Sequence, residues 1–193
     1  MVSSDAFAMA NRRLFIAIEV EPTRAIQNFY LSLIKELEEY RVKWMLPEYF
    51  HITLRFLGNT PPNLIDPLNK VLEHTASCFH PFEIQLHGLG IFGGMQPKVL
   101  WMGIKPTPEL DKLYLNVNEV INNLGFKQNE SKIMPHITLG RINKSTTYEA
   151  ILNVQVKHNV AFGPQIVKEI CLYESILDKT GARYVILNRH ELR

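Results

Sequence analysis

An α+β fold assembled from two related lobes is predicted for this chain, on three observations. The phrase His-Ile-Thr-Leu occurs twice, at His51-Ile52-Thr53-Leu54 and at His136-Ile137-Thr138-Leu139. Strand-like and helix-like stretches alternate irregularly, with hairpins as well as crossovers, which disfavours a doubly wound parallel sheet. The order strand–helix–strand–strand also recurs at a similar distance around each phrase. Two such lobes would set the two His/Thr strands side by side across a pseudo-twofold cleft.

The elements follow in order. Arg13 to Val20 (RLFIAIEV) is rich in Ile, Phe and Val and ends at Glu21-Pro22, the signature of a buried strand. Thr23 can cap a helix running to about Tyr40. Its apolar residues Ile26, Phe29, Tyr30, Leu33, Ile34 and Leu37 keep the helical period, with Lys35, Glu36, Glu38 and Glu39 turned to water. Val42 to Leu46 reads as a short strand and Phe50 to Leu57 as the strand carrying the first phrase. Gly58 to Pro62 breaks the chain, and a helix follows from Pro62 or Asn63 to about Ser77. Phe82 to Phe92 alternates at Phe82, Ile84 and Leu86. Gly93-Gly94 turns it, and Lys98 to Ile104 returns as its partner. Pro106 to Pro108 opens a helix through Leu110, Leu113, Val117 and Ile121, closed by Gly125. The second phrase lies within Pro135 to Ile142. A polar linker and a helix around Tyr148 to Val156 lead to two final strands, Gln165 to Ser175 and Arg183 to Leu192, joined by a turn at Asp178 to Gly181.

With 46% hydrophobic and 21% charged residues, the 193-residue chain can bury a sizeable core. We expect residues 1–12 to be a disordered leader and 13–193 to form a single bilobal domain. A net charge of +2 is too small for a polyanion-coating protein, so any nucleic-acid contact should be confined to a cleft. Cys78 and Cys171 lie far apart in apolar surroundings and read as free thiols of a reducing cytosol. No stretch approaches the roughly 20 apolar residues of a membrane span, and the leader lacks a secretory h-region. A cytoplasmic protein is expected, with no membrane association.

A single histidine in a strand is usually structural, and His74, His80, His87, His158 and His190 are read that way. His51 and His136 differ because a threonine and two aliphatic flanks recur with each. Strand alternation points His51 and Thr53 to one face and Ile52 and Leu54 to the other, and the same holds for His136, Thr138, Ile137 and Leu139. A zinc site would need more ligands than two histidines, and no Asp, Glu or Cys stands at ligand spacing, so no metal is expected. No Ser or Cys sits in a nucleophile elbow, and Gly93-Gly94 lacks the Lys-Ser/Thr of a phosphate loop. Acid–base chemistry fits. Two imidazoles near neutral pH can supply one base and one acid, and the threonine hydroxyls can donate to phosphoryl oxygens where charge develops. Arg55 shares the parity of His51 and Thr53. Arg141 falls on the face of Ile137 and Leu139 unless a bulge at Gly140 returns it. Trp44, Phe50 and Phe56 are candidates for base stacking, with core packing the competing role for Phe56.

These residues resemble the two-histidine (2H) phosphoesterases, and among them the bacterial and archaeal RNA 2′,3′-cyclic phosphodiesterases, also labelled 2′-5′ RNA ligases. The resemblance covers roughly Arg13 to the C-terminus. It is carried by Arg13 to Ile18, by Trp44 and Pro47 before His51 to Gly58, and by Gly88 to Phe92 with Val99 to Trp101. Pro135 to Arg141 extends it, as do Leu172 to Ser175 with Gly181, Tyr184 and Leu187. The resemblance implies a bilobal α+β fold whose two antiparallel sheets line a central cleft, with helices on the outer faces. It implies His51 as proton donor to a leaving O3′ and His136 as the base that activates water, leaving a 2′-phosphate. Thr53 and Thr138 would bind phosphoryl oxygens, and Arg141 resembles the family's phosphate-binding arginine. The substrate implied is RNA with a 2′,3′-cyclic phosphate end, or a cyclic nucleotide, without cofactor or obligate protein partner and as a monomer. RNA end joining by the reverse reaction and a non-catalytic RNA- or nucleotide-binding module are the alternatives.

Overall fold

The structure, a computed structural model, describes residues 10–127, 134–143, 148–177 and 181–193. Most of the expected leader, the Lys132-Ile133 approach to the second phrase and the Asp178–Thr180 turn lie outside these residues. Nine strands and four α-helices are described: β1 Arg12–Glu19, α1 Arg24–Glu36, β2 Val42–Trp44, β3 His51–Thr60, α2 Ile65–Ser77, β4 Phe82–Phe92, β5 Val99–Ile104, α3 Pro108–Asn123, β6 His136–Ile142, α4 Tyr148–Lys157, β7 Ala161–Val167, β8 Glu169–Leu177 and β9 Ala182–Glu191.

The strands run β7-β4-β5-β6-β3-β1-β8-β9, with β2 on the flank of β6, and every pairing is antiparallel. The two halves of this path meet through a single registered pair, Ile52 of β3 and Ile137 of β6. About that pair the halves correspond. Each phrase strand is bordered by the strand that leads into a helix, β1 before α1 and β5 before α3. The α+β expectation therefore holds with two corresponding halves, but the two expected sheets are joined through this pair into one curled antiparallel sheet.

Local sequence explains the elements. Thr23 caps α1 by accepting from the Ile26 amide, and Thr107 caps α3 by accepting from Leu110 at 3.2 Å. Gly125 follows α3 at φ +88°, a conformation that glycine adopts without strain. α1 stops at Glu36, a turn earlier than its apolar period suggests. The expected break at Gly58–Pro62 is instead the end of a strand. Gly58, at φ +71°, sits at an irregularity opposite Leu14–Phe15, and β3 continues to Thr60. The strand expected over 165–175 is in fact two. β7 lies on the outer edge against β4, where Pro164 costs no ladder bond, and β8 pairs with β1 in the other half.

The main core lies between the sheet and the helices. Ile52, Leu54, Ile137 and Leu139 are buried in it with Leu33, Leu68, Leu72, Leu113, Val117 and Ile121. Full burial of each such side chain is worth about 1.5–3 kcal/mol, which fixes the strand register and with it the outward aim of the intervening His and Thr residues. A smaller apolar cluster of Phe15, Ala17, Cys171 and Tyr173, with Tyr184 and Ile186 against it, covers the opposite face of the β1–β8–β9 half.

Candidate active site

Antiparallel register through Ile52 and Ile137 sets His51 level with Thr138, and Thr53 level with His136. All four are half-buried on the face opposite the main core. The predicted pairing of the two phrases is thus realised as a square of two imidazoles and two hydroxyls around the pseudo-twofold.

Each imidazole is anchored in the same way. His51 Nδ1 lies 2.7 Å from the Tyr49 carbonyl oxygen, and His136 Nδ1 lies 2.8 Å from that of Met134, two residues back in both cases. A carbonyl only accepts, so Nδ1 carries the hydrogen, and Nε2 of the neutral ring is left as a base. The same anchor survives protonation, because Nδ1 remains a donor in the imidazolium. A 3-10 turn at Pro47–Tyr49 presents the first carbonyl.

Aromatic side chains wall both rings. His51 packs against Phe15 (ring centroids 5.0 Å), Tyr184 (5.2 Å) and Tyr173 (5.9 Å), and Phe15 stacks on Tyr173 at 4.9 Å. His136 meets the edge of Phe92 at 4.8 Å and Trp101 at 6.0 Å. Gly90, paired with Trp101 across β4 and β5, makes room for the indole, since a Cβ there would stand 2.0 Å from it. Burial in these surroundings pushes the pKa of His51 down to about 4, against the pull of the Tyr49 carbonyl, and the charge of His136 lowers it further. Burial also lowers His136, opposed by the Met134 carbonyl. Burial thus favours the neutral form of both rings, and the Ile52–Ile137 register brings them into one site.

The two arginines part company, and one device decides both. In β3, Leu54 is an extra residue between the Ile16–Arg55 and Ala17–Thr53 pairs. In β6, Leu139 is extra between Leu100–Gly140 and Trp101–Thr138. Each bulge shifts the alternation by one. Arg141 is thereby returned to the face of His136 and Thr138, where it is exposed and level with Lys43 of β2. Arg55 is turned away. It is 1% exposed, and its guanidinium donates to Asn118 Oδ1 at 2.7 Å, to Asn122 Oδ1 at 2.9 Å and to the Lys127 carbonyl. The expectation that Arg55 faces a phosphate is corrected: it ties the first phrase strand to the end of α3.

Trp44 and Phe50 also leave the list of base-stacking candidates, since both pack edge-on to Tyr30 in the main core. Phe56 occupies the position in β3 that Arg141 holds in β6. It is 63% exposed and sits 6.1 Å from Phe15. Sequence reasoning gave Phe15, Phe92, Tyr173 and Tyr184 no role. Their only signal is alternation within strands whose partners the sequence does not name. Among the described residues, no group of three or more His, Cys, Asp or Glu side chains could hold a metal ion, and no helix is long and apolar enough to cross a membrane.

Comparison with known proteins follows the same lines. Residues 7–177 match the model of the 2′-5′ RNA ligase superfamily. A protein of Archaeoglobus fulgidus named RNA 2′,3′-cyclic phosphodiesterase is 32% identical over 174 residues, covering 89% of this chain and 96% of its own. A Thermotoga maritima protein of the same name is 30% identical over 181 residues, covering 91% and 92%. Among solved structures, Thermus thermophilus TT0787 superposes with a TM-score of 0.73 at 24% identity. Escherichia coli LigT complexed with 3′-AMP does so with 0.72 at 23%, and each comparison covers 94% of this chain and 98% of the other. At these identities the superpositions speak for the fold.

Proposed function

Because the chain belongs to the 2′-5′ RNA ligase superfamily, we propose that it hydrolyses the 2′,3′-cyclic phosphate at RNA ends or on nucleotides to a 2′-phosphate, without metal or cofactor. The observation that carries this reading is the matched pair of imidazoles, each fixed by a carbonyl at Nδ1 and each offering Nε2. Binding an anion needs no such pair, whereas in-line displacement at phosphorus needs one base and one acid on opposite sides of it.

His136 Nε2 takes a proton from water as the water oxygen attacks phosphorus, and the P–O3′ bond breaks. Protonated His51 delivers its Nε2 proton to O3′, leaving the phosphate on O2′. The next turnover restores the starting states by proton exchange with solvent. Thr53 and Thr138 donate to the non-bridging oxygens, and the Arg141 guanidinium neutralises them from the same face. We take the enzyme to act as a cytoplasmic monomer, in keeping with two free cysteines, one of them buried.

The test is turnover of 2′,3′-cyclic AMP in EDTA, with the product identified by ³¹P NMR. Adenosine 2′-phosphate is expected. No turnover, or turnover only after metal is restored, overturns the reading. Adding an oligonucleotide with a 5′-hydroxyl to the same reaction separates hydrolysis from end joining, which would leave a 2′-5′ linkage.

A further inference from the structure

We propose that the Arg41 and Lys43 side of a basic concavity beside the second phrase is a subsite for the RNA backbone phosphate immediately 5′ of the cyclic end, with Arg141, on the cyclic phosphate, forming the wall between the two sites. This rests on the phosphodiesterase reading and narrows its substrate to an RNA terminus of two or more nucleotides.

Four observations converge on it. The β2–β6 register sets Lys43 directly opposite Arg141, so both side chains leave the same face. The Leu139 bulge makes that face the one that carries His136 and Thr138. The subsite therefore continues the catalytic strand, with Arg141 two strand steps beyond Thr138 once Leu139 is taken up by the bulge, roughly 7 Å at the rise of a strand. Arg41 is held at the mouth because the Asn143 amide donates to its carbonyl at 2.9 Å. The Lys43 ammonium lies against Gly181, where a Cβ would stand 2.7 Å from Nζ.

The concavity holds about 350 Å³, and its lining among the described residues includes the cations Arg41, Lys43 and Arg141. In a chain of net charge only +2, that concentration of positive charge beside the imidazoles fits a second anion on the same ligand. A 2′,3′-cyclic mononucleotide with a free 5′-hydroxyl carries one phosphate and leaves the concavity empty. An oligoribonucleotide carries its next phosphate into it. Exposed lysine and arginine contacts of this kind make binding salt-dependent and indifferent to base identity.

The experiment compares wild type with the Arg41→Ala/Lys43→Ala double variant on two substrates, 2′,3′-cyclic AMP and the dinucleotide ApA ending in a 2′,3′-cyclic phosphate. Both replaced residues are exposed, so the variant should fold, and its thermal melt confirms this. In wild type, kcat/KM for the dinucleotide should exceed that for the mononucleotide and fall steeply with salt. The variant should lose about tenfold on the dinucleotide, and its log–log salt slope should flatten by about 1–2, one for each phosphate contact removed. Its kcat/KM on the mononucleotide should stay within about twofold, the spread of neutral surface changes. Equal losses on both substrates, or no loss on either, overturn the subsite. Turnover of neither substrate by wild type overturns the phosphodiesterase reading instead. Equilibrium binding of the same dinucleotide to the two proteins then decides the subsite, and equal affinities overturn it.

Discussion

His51→Ala and His136→Ala should each lower kcat on a 2′,3′-cyclic nucleotide by about 10²–10⁴-fold, and the double variant should be little slower than either single one. The reason is the balance of the step. Attack needs a base as the O–P bond forms, and departure needs an acid as the P–O3′ bond breaks. Removing either proton carrier leaves the other with nothing to complete. Non-additivity is therefore the signature of a pair acting as a unit. KM should change far less, because Thr53, Thr138 and Arg141 still hold the phosphate. Thr53→Ala or Thr138→Ala should cost kcat less than either histidine change, each removing one neutral hydrogen bond to the developing charge. Steady-state kinetics on wild type and the five variants check this. A His51→Ala variant within a fewfold of wild type would remove His51 from the chemistry.

The pH dependence carries the second large effect. Burial lowers both imidazole pKa values, His51 to about 4. The productive free enzyme holds one proton on the pair, so kcat/KM should follow a bell whose maximum lies between about pH 4 and 6.5, below that of an unperturbed histidine pair. Bound phosphate favours the imidazolium, so the profile of kcat should be displaced to higher pH. His51 is the ring held neutral more strongly. Its role as proton donor thus depends on the substrate anion, and the gap between the two profiles measures that dependence. Stability has a definite sign as well. A histidine whose folded pKa is depressed contributes fully above its unfolded value near 6.5 and loses that contribution as the pH falls towards the folded value. His51 alone then accounts for up to about 3 kcal/mol lost between about pH 6.5 and 4. His51→Ala should flatten this acid limb in urea titrations. A pH-independent kcat/KM between pH 4 and 8 would contradict the two-imidazole mechanism.

Much of this was legible in the sequence, because both periodicities were clean. Ile52, Leu54, Ile137 and Leu139 could face only a core, which left His51, Thr53, His136 and Thr138 facing the cleft. Thr23 and Gly125 marked helix ends by their own local chemistry, and the structure uses both. The two arginines show where that logic stops. Alternation assigns Arg55 to the cleft and Arg141 to the core, and the bulges at Leu54 and Leu139 reverse both. A bulge is set by what the neighbouring strand offers, so it leaves little trace in the strand that carries it. Arg55 also needs Asn118 and Asn122, more than sixty residues away, to satisfy its guanidinium. The walls of the cleft were invisible for the same reason. Phe15 and Tyr173 meet only because β8 crosses to pair with β1.

One phosphorus between two imidazoles is the claim on which the mechanism stands, and a crystal structure with bound adenosine 2′-phosphate measures it directly. Nε2 of His51 and Nε2 of His136 should each lie about 2.6–3.2 Å from oxygens on opposite sides of the same phosphorus atom, or within that reach of the adjacent O3′. Both Nδ1 bonds to Tyr49 and Met134 should be unchanged. A phosphate held by one ring alone, or lodged away from the Ile52–Ile137 junction, would contradict it.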